Sequence, residues 1–282
     1  MNNKPIGIFD SGLGGLTAVK ELIRILPGES IVYFGDTGRV PYGSRSQETI
    51  LKYAKQDIAF LQSFDIKIII AACGTVSSVA LPHLENQSGV EVIGVVEPTA
   101  RAAVRSTKTG VIAVLGTPST IASGAYEREI KKHKPDAEVY SVACPLFVPL
   151  VENGYTNGIV IETIAKEYLN QIPKLPDTII LGCTHYPLLK STIRDIMGKE
   201  IALIDAGKAA ADHVKEILTR NNMLSSGEHA DYQYYVSDSA SGFSALAEVF
   251  LEQKIDHIEK IDIEKIQGSY EKIPTDWSLY GK

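Results

Sequence analysis

Short apolar runs alternate along the chain with stretches whose apolar positions recur every three to four residues. Ile6–Phe9, Ile31–Phe34, Ile66–Ala72, Val90–Val96, Val111–Leu115, Ala137–Ala143, Thr178–Leu181, Ile201–Ile204 and Tyr232–Val236 read as strands. Between them Leu16–Leu26, Ser46–Phe64, Ser77–Leu84, Thr99–Ser106, Ser119–Lys132, Ile159–Gln171, Leu188–Met197 and Lys208–Asn221 keep helical spacing. Near-continuous Ile, Val and Leu runs mark strands covered on both faces. Strand–helix alternation of this kind predicts an α/β fold with mainly parallel sheets. A last helix, Gly242–Leu251, and a mixed-charge strand, Asp256–Ile263, precede a tail from Gln267 without a readable pattern.

The pattern repeats. Ile68–Ile69–Ile70–Ala71–Ala72–Cys73–Gly74–Thr75 is echoed by Thr178–Ile179–Ile180–Leu181–Gly182–Cys183–Thr184, with the cysteines 110 positions apart (183 − 73). Glu91–Val95 before one helix is echoed by Glu200–Ile204 before another, and Gly7–Ser11 by Val111–Thr117. Echoes at nearly the same spacing predict two similar, pseudo-symmetric α/β halves; if these face each other, two thiols flank one cleft.

Composition narrows the classes. The chain has 282 residues, enough for sizeable cores, with 44% hydrophobic and 22% charged residues. Its 28 Lys+Arg against 34 Asp+Glu leave −6, without a basic block, which argues against nucleic-acid binding. No apolar run approaches the ~18 residues of a membrane span, and the first residues lack a signal-peptide pattern. Three cysteines make no disulfide framework, so a reducing, cytoplasmic setting is expected. No Cys-x-x-Cys pair and no His cluster stands at metal-ligand spacing, so no metal is expected.

In open α/β sheets ligands gather beyond the carboxyl ends of the strands. Cys73 and Cys183 stand there, one per half, with Thr75 and Thr184 just beyond them and an expected helix N-terminus that favours a thiolate. Most cysteines are small buried hydrophobes, and Cys144 in Val142–Leu146 is read that way. Two thiols flanking one cleft suit the inversion of a carbon stereocentre. One group removes a proton from one face and the other returns a proton to the opposite face. Such a site also needs N–H donors for the developing negative charge. Asp10 and Ser11 precede Gly12–Leu13–Gly14–Gly15, which lacks the spacing of a phosphate loop but suits a tight turn with free N–H groups. His185, two residues after Cys183, is within reach for proton exchange. Glu152 alone would be assigned to the surface.

These segments resemble the glutamate racemases of the cofactor-independent amino-acid racemase family. The resemblance rests on Phe9–Thr17, Tyr33–Gly43, Ala72–Thr75, Cys144–Glu152, Gly182–Leu189 and Tyr235–Asp238, in family order. It implies two facing α/β domains, 1–97 plus 208–282 and 98–207, and no cofactor. It implies Cys73 and Cys183 as the catalytic bases, Asp10 assisting on the first side, and His185 with Glu152 on the second. Asp10, Ser11, Tyr42, Gly43, Gly74, Thr75, Thr184 and His185 would hold the small-molecule substrate, glutamate. The product would be D-glutamate for peptidoglycan, made by a cytoplasmic homodimer with neither nucleic-acid nor membrane partners.

One position departs from the family pattern: Asn usually follows the first cysteine, and here it is Gly74. An amide donor is lost, while the Gly74 N–H remains and the backbone can approach closely. Restoring Asn is expected to change KM or kcat within about tenfold steps. Competing readings are a racemase of a related acid such as aspartate, a non-catalytic binding protein that keeps the cleft, and a pyridoxal-phosphate racemase using Lys52 or Lys67. The last lacks a recognisable loop around either lysine.

Overall fold

The computed structural model describes residues 2–84, 89–227, 230–255 and 257–266. Asp256 and the tail from Gln267 lie outside the described residues. Two parallel sheets carry the molecule. The first has six strands: β1 (Ile6–Asp10), β2 (Ile31–Gly35), β3 (Ile68–Ala71), β4 (Val92–Gly94), β9 (Tyr232–Val236) and β10 (Glu259–Lys260), in the order β10-β9-β2-β1-β3-β4. The second has four: β5 (Val111–Gly116), β6 (Glu138–Ala143), β7 (Thr178–Leu181) and β8 (Ala202–Asp205), in the order β6-β5-β7-β8. The stretch β2-β1-β3-β4 of one sheet therefore has the order of the whole other sheet, strand for strand. This is the repeat that the spaced cysteines announce.

Burial follows the two-residue period of a strand. Ile68 and Ile70 join Ala113, Leu115, Ile179 and Leu181 in a core shared by both sheets. Their neighbours Ile69 and Ala71 pack with Phe9, Val32 and Phe34 in a core of the first sheet alone. Ile112, Val114 and Ile180 form the corresponding outer core of the second. Both faces of the central strands are thus dry, as their unbroken apolar runs require.

The helices are α1 (Leu16–Ile25), α2 (Gln47–Gln62), α3 (Gly74–Val79), α4 (Val96–Ser106), α5 (Pro118–Ala122), α6 (Ala125–His133), α7 (Phe147–Glu152), α8 (Ile159–Leu169), α9 (Lys190–Met197), α10 (Ala206–Arg220) and α11 (Ala240–Leu251). Caps set several starts. Ser46 Oγ accepts the Thr49 N–H at 3.3 Å, and Asp205 Oδ1 accepts that of Lys208 at 3.1 Å. The expected helix Ser119–Lys132 is two helices, because Gly124 takes φ +64 between α5 and α6. The expected helix Ser77–Leu84 begins earlier, at Gly74, directly after Cys73. The expected strand Val90–Val96 is only Val92–Gly94, since Val96 already opens α4. Helix α7 was not expected; it is six residues long and contains Pro149. Among the described residues, no helix is long and apolar enough to cross a membrane.

Candidate active site

In each sheet the chain runs outward from the first strand in one direction and then returns to its other side. Strands β3 and β7 are the first on that return side, so their carboxyl ends lie at the switch points where α/β proteins hold ligands. Cys73 follows β3 and Cys183 follows β7 with one intervening residue. Both thiols line a single cavity of about 360 Å³, with Ser11, Tyr42, Gly43, Gly74, Thr75, Thr184, Glu152 and His185 also in its wall. Asp10 is fully buried and sits behind that wall. Its carboxylate accepts the Gly12 N–H at 3.2 Å and the Thr184 hydroxyl at 3.4 Å. Asp10 thus ties the turn after β1 to the Cys183 loop and does not itself line the cavity.

The two cysteines have different surroundings. Cys73 occupies the N-cap position of α3, and its thiol donates to Ser11 Oγ at 3.6 Å. Burial, and next the negative charge of Asp10, push its pKa up to about 12, against the pull of the Val76 N–H and Ser11. Cys183 is followed by a tight turn, Tyr186–Leu189, before α9 begins, so the helix N-terminus expected directly after it is absent. A histidine stands in that role. His185 Nδ1 lies 3.9 Å from Cys183 Sγ, while Nε2 is 2.9 Å from Glu152 Oε1. Burial alone would lower the His185 pKa, but the bonds to Cys183 and Glu152 outweigh it and raise it to about 10. When protonated, His185 donates from both nitrogens, one toward Glu152 and one toward the Cys183 sulfur. The edge of its ring against Phe250, with centroids 5.3 Å apart, holds its plane.

Glycines bring these loops together. A side chain at Gly14 would overlap Thr184 and His185. The glycine run after Asp10 therefore serves as a close-packing surface for the second cysteine loop. At Gly74 a Cβ would run into the Gly182 carbonyl oxygen and lie 3.3 Å from its carbon. Gly74 and Gly182 each adjoin a catalytic candidate, so their backbone contact sets the spacing of the thiols.

Residues the sequence did not single out complete the wall. Thr117 directly follows β5, the counterpart of β1, and its hydroxyl is 3.0 Å from that of Thr75. Its place matches Ser11 in the repeat, which was the available signal. The Ser119 hydroxyl donates to the Gly43 carbonyl at 2.7 Å, tying α5 to the loop after β2. Val148 and Pro149 of the unexpected α7 supply an apolar side, and Cys144, fully buried, also borders the cavity. Burial raises the Cys144 thiol pKa strongly. Lys67 is buried against Glu29, Asn2 and Met223, and does not line the cavity. Lys52 lies on the exposed side of α2.

The chain is similar along nearly its whole length to proteins of known family. The profile of the Asp/Glu/Hydantoin racemase family matches residues 11–214. A glutamate racemase of Geobacter metallireducens is 44% identical over 263 residues, covering 93% of this chain and 97% of the relative. One of Chlorobaculum tepidum is 46% identical over 263 residues, 92% of this chain and 97% of the relative. The structure of glutamate racemase from Francisella tularensis in complex with D-glutamate superposes with a TM-score of 0.87 at 39% identity, covering 94% of this chain and 99% of that one. The Bacillus anthracis enzyme, isoform RacE1, gives 0.90 at 36%, covering 93% and 98%. A Picrophilus torridus aspartate racemase, at 18% identity and a TM-score of 0.57, shares the fold alone. The chain is therefore an isomerase that belongs to the Asp/Glu/hydantoin racemase family, with the glutamate racemases as its relatives along nearly its whole length.

Proposed function

We propose that this protein interconverts L- and D-glutamate by a two-base mechanism without a cofactor, with Cys73 and Cys183 acting on opposite faces of the α-carbon. The observation that carries the reading is that one cavity holds both thiols, each at the switch point of its own sheet and each with its own polar partner. In one direction a cysteine thiolate takes the α-proton, and the electron pair of the C–H bond passes to the α-carboxylate. The other cysteine then gives its proton to the opposite face and is left as thiolate. The reverse reaction exchanges the two roles.

His185, with Glu152 behind it, offsets negative charge at Cys183; Ser11 and Asp10 orient the Cys73 side. In this reading Ser11, Tyr42, Gly43, Gly74, Thr75 and Thr184, all in the cavity wall, hold the two carboxylates and the amine through backbone N–H groups and hydroxyls. The partition of the chain into 1–97 plus 208–282 and 98–207 belongs to the same reading. The packing of α10 against α1 supports placing it with the first sheet. A cytoplasmic location, a supply of D-glutamate to peptidoglycan, and a homodimer also belong to this reading; exposed Leu146, Ile159 and Val160 supply apolar surface for the last.

The test is incubation of purified protein with L-glutamate in D2O, without pyridoxal phosphate and with a chelator present. Optical rotation should fall to zero while deuterium enters the α-position. Aspartate racemised in preference to glutamate moves the substrate to the competing acid. Deuterium exchange without racemisation, or no reaction with either acid, defeats the two-base reading.

A further inference from the structure

Tyr42 lines the cavity, yet its hydroxyl is engaged away from it. It donates to Asp36, whose carboxylate is fully buried, and lies 3.2 Å from Oδ2 of Asp57, also fully buried. Arg39 binds both carboxyl groups: Nε donates to Asp36 Oδ2 at 2.6 Å, and Nη2 to Asp57 Oδ1 at 3.0 Å. Its remaining nitrogen donates to Gln56 at 2.6 Å and to Glu264 at 3.2 Å, and its plane lies over the Tyr53 ring at 4.1 Å. None of these groups except Tyr42 lines the cavity.

We propose that Arg39, Asp36 and Asp57 are positioning residues for the Tyr42–Ser44 wall of the substrate cavity, with Asp57 the proton donor of the assembly and Asp36 its acceptor. The proposal rests on the reading of that cavity as the glutamate site.

Counting hydrogens assigns the roles. A tyrosine hydroxyl carries one hydrogen, which is assigned to Asp36, the nearer of its two carboxyl partners. Asp36 accepts three donors in all: Tyr42, Arg39 and, at 2.7 Å on its other oxygen, the Ser237 hydroxyl. The contact between Tyr42 and Asp57 Oδ2 then needs its hydrogen from Asp57. Arg39 already serves Oδ1, so the acid hydroxyl is Oδ2, and the chain runs Asp57 O–H to Tyr42 O–H to Asp36 with every hydrogen used. One guanidinium and one carboxylate leave the buried group balanced; a second carboxylate would be a buried, unmatched charge. Burial and the charge of Asp36 also lift the Asp57 carboxyl well above the usual range. The tyrosine so held begins the turn Tyr42–Ser44, whose Gly43 meets α5 through Ser119. The assembly thus fixes one wall and touches no reacting atom.

The roles predict an asymmetry between two chemically identical substitutions. Asp57→Asn keeps an acceptor for Arg39 and an N–H donor for Tyr42. Asp36→Asn offers one oxygen to three donors. The experiment is steady-state kinetics in both directions for Asp36→Asn, Asp57→Asn and Tyr42→Phe, with a thermal melt for each. Tyr42→Phe and Asp36→Asn should raise KM for glutamate about tenfold or more while kcat changes less than threefold, since ground-state and transition-state binding are lost together. Asp57→Asn should shift KM less than threefold. An unchanged KM in Tyr42→Phe, equal KM rises in the two asparagine variants, or a fall in kcat at constant KM overturns the proposal. Should Asp36→Asn not fold, Tyr42→Phe against Asp57→Asn decides. A readout independent of turnover is the infrared difference spectrum of wild type minus Asp57→Asn. It should contain the C=O stretch of a neutral carboxyl; its absence overturns the donor assignment even where the protein racemises glutamate, and its presence stands even where it does not.

Discussion

Replacing Gly74 by alanine tests the spacing of the two thiols. The added methyl carbon overlaps the Gly182 carbonyl oxygen, a backbone atom that no side-chain rotation can remove. Bringing the pair to ordinary contact requires the two loops to part by about 1 Å. Gly74 follows Cys73 and Gly182 precedes Cys183, so the parting moves one sulfur relative to the other. A displacement of about 1 Å lowers the rate of a positioned reaction by about 10²-fold. Overpacking of this kind also destabilises by about 1–3 kcal/mol. Asparagine shares the offending Cβ. Its amide could return at most about 1.5–3 kcal/mol through a charged hydrogen bond, while the backbone overlap remains. The change within about tenfold steps expected from sequence for Gly74→Asn is therefore replaced by a loss of about 10²-fold in kcat for both variants. The assay is kcat in the L-to-D and D-to-L directions with a thermal melt alongside. A folded Gly74→Ala with kcat within threefold of wild type refutes the argument, because the loops would then have room the structure denies them.

Cys73→Ala and Cys183→Ala should each lose racemisation by several orders of magnitude, each ~1.4 kcal/mol of lost barrier reduction being tenfold; Cys144→Ala should retain turnover, and a comparable loss there would overturn its assignment to packing. His185 binds its proton more tightly folded, at a pKa of about 10 against an ordinary 6.5. Its stabilising contribution is therefore complete below pH 6.5 and lost as pH rises through about 10; denaturation midpoints across that window should fall in wild type and stay flatter in His185→Gln. Asp177 accepts the Thr107 hydroxyl and the Lys108 and Thr109 N–H groups, at 2.6, 2.7 and 2.6 Å. Burial raises its pKa, but these donors outweigh it and hold it below the usual range. Asp177→Asn should therefore lower stability at neutral pH by about 1–2 kcal/mol, with the difference vanishing in acid and activity retained; equal melting of the two proteins at pH 7 would contradict this.

The strands and the repeat were legible because both faces of β1, β3, β5 and β7 are buried, which forces unbroken Ile, Val and Ala runs. Cys73 and Cys183 stand out in the sequence because they end strands in echoed positions, and His185 because it lies two residues after Cys183. Other features depend on tertiary contacts that leave little local trace. Helix α7 is short and carries Pro149, so periodicity could not find it. The break at Gly124 hides inside an otherwise helical pattern. Asp10 was placed among substrate ligands, and its Thr184 partner lies 174 positions away, a pairing only the fold supplies. The Tyr42 hydroxyl, too, is withdrawn from the cavity by Asp57, fifteen residues on and one turn short of the end of α2's buried face.

The chain passes between the sheets twice, outward through α4 and back through α10, and these two helices pack on each other. A body tethered at one point can swivel in any direction; one tethered at two turns about the line through both. The double crossing therefore restricts any parting of the sheets to a single swing, like a page about its spine. Whatever admits or releases a substrate along that swing keeps Cys73 on one side of the α-carbon and Cys183 on the other, so the handedness of the site survives each opening.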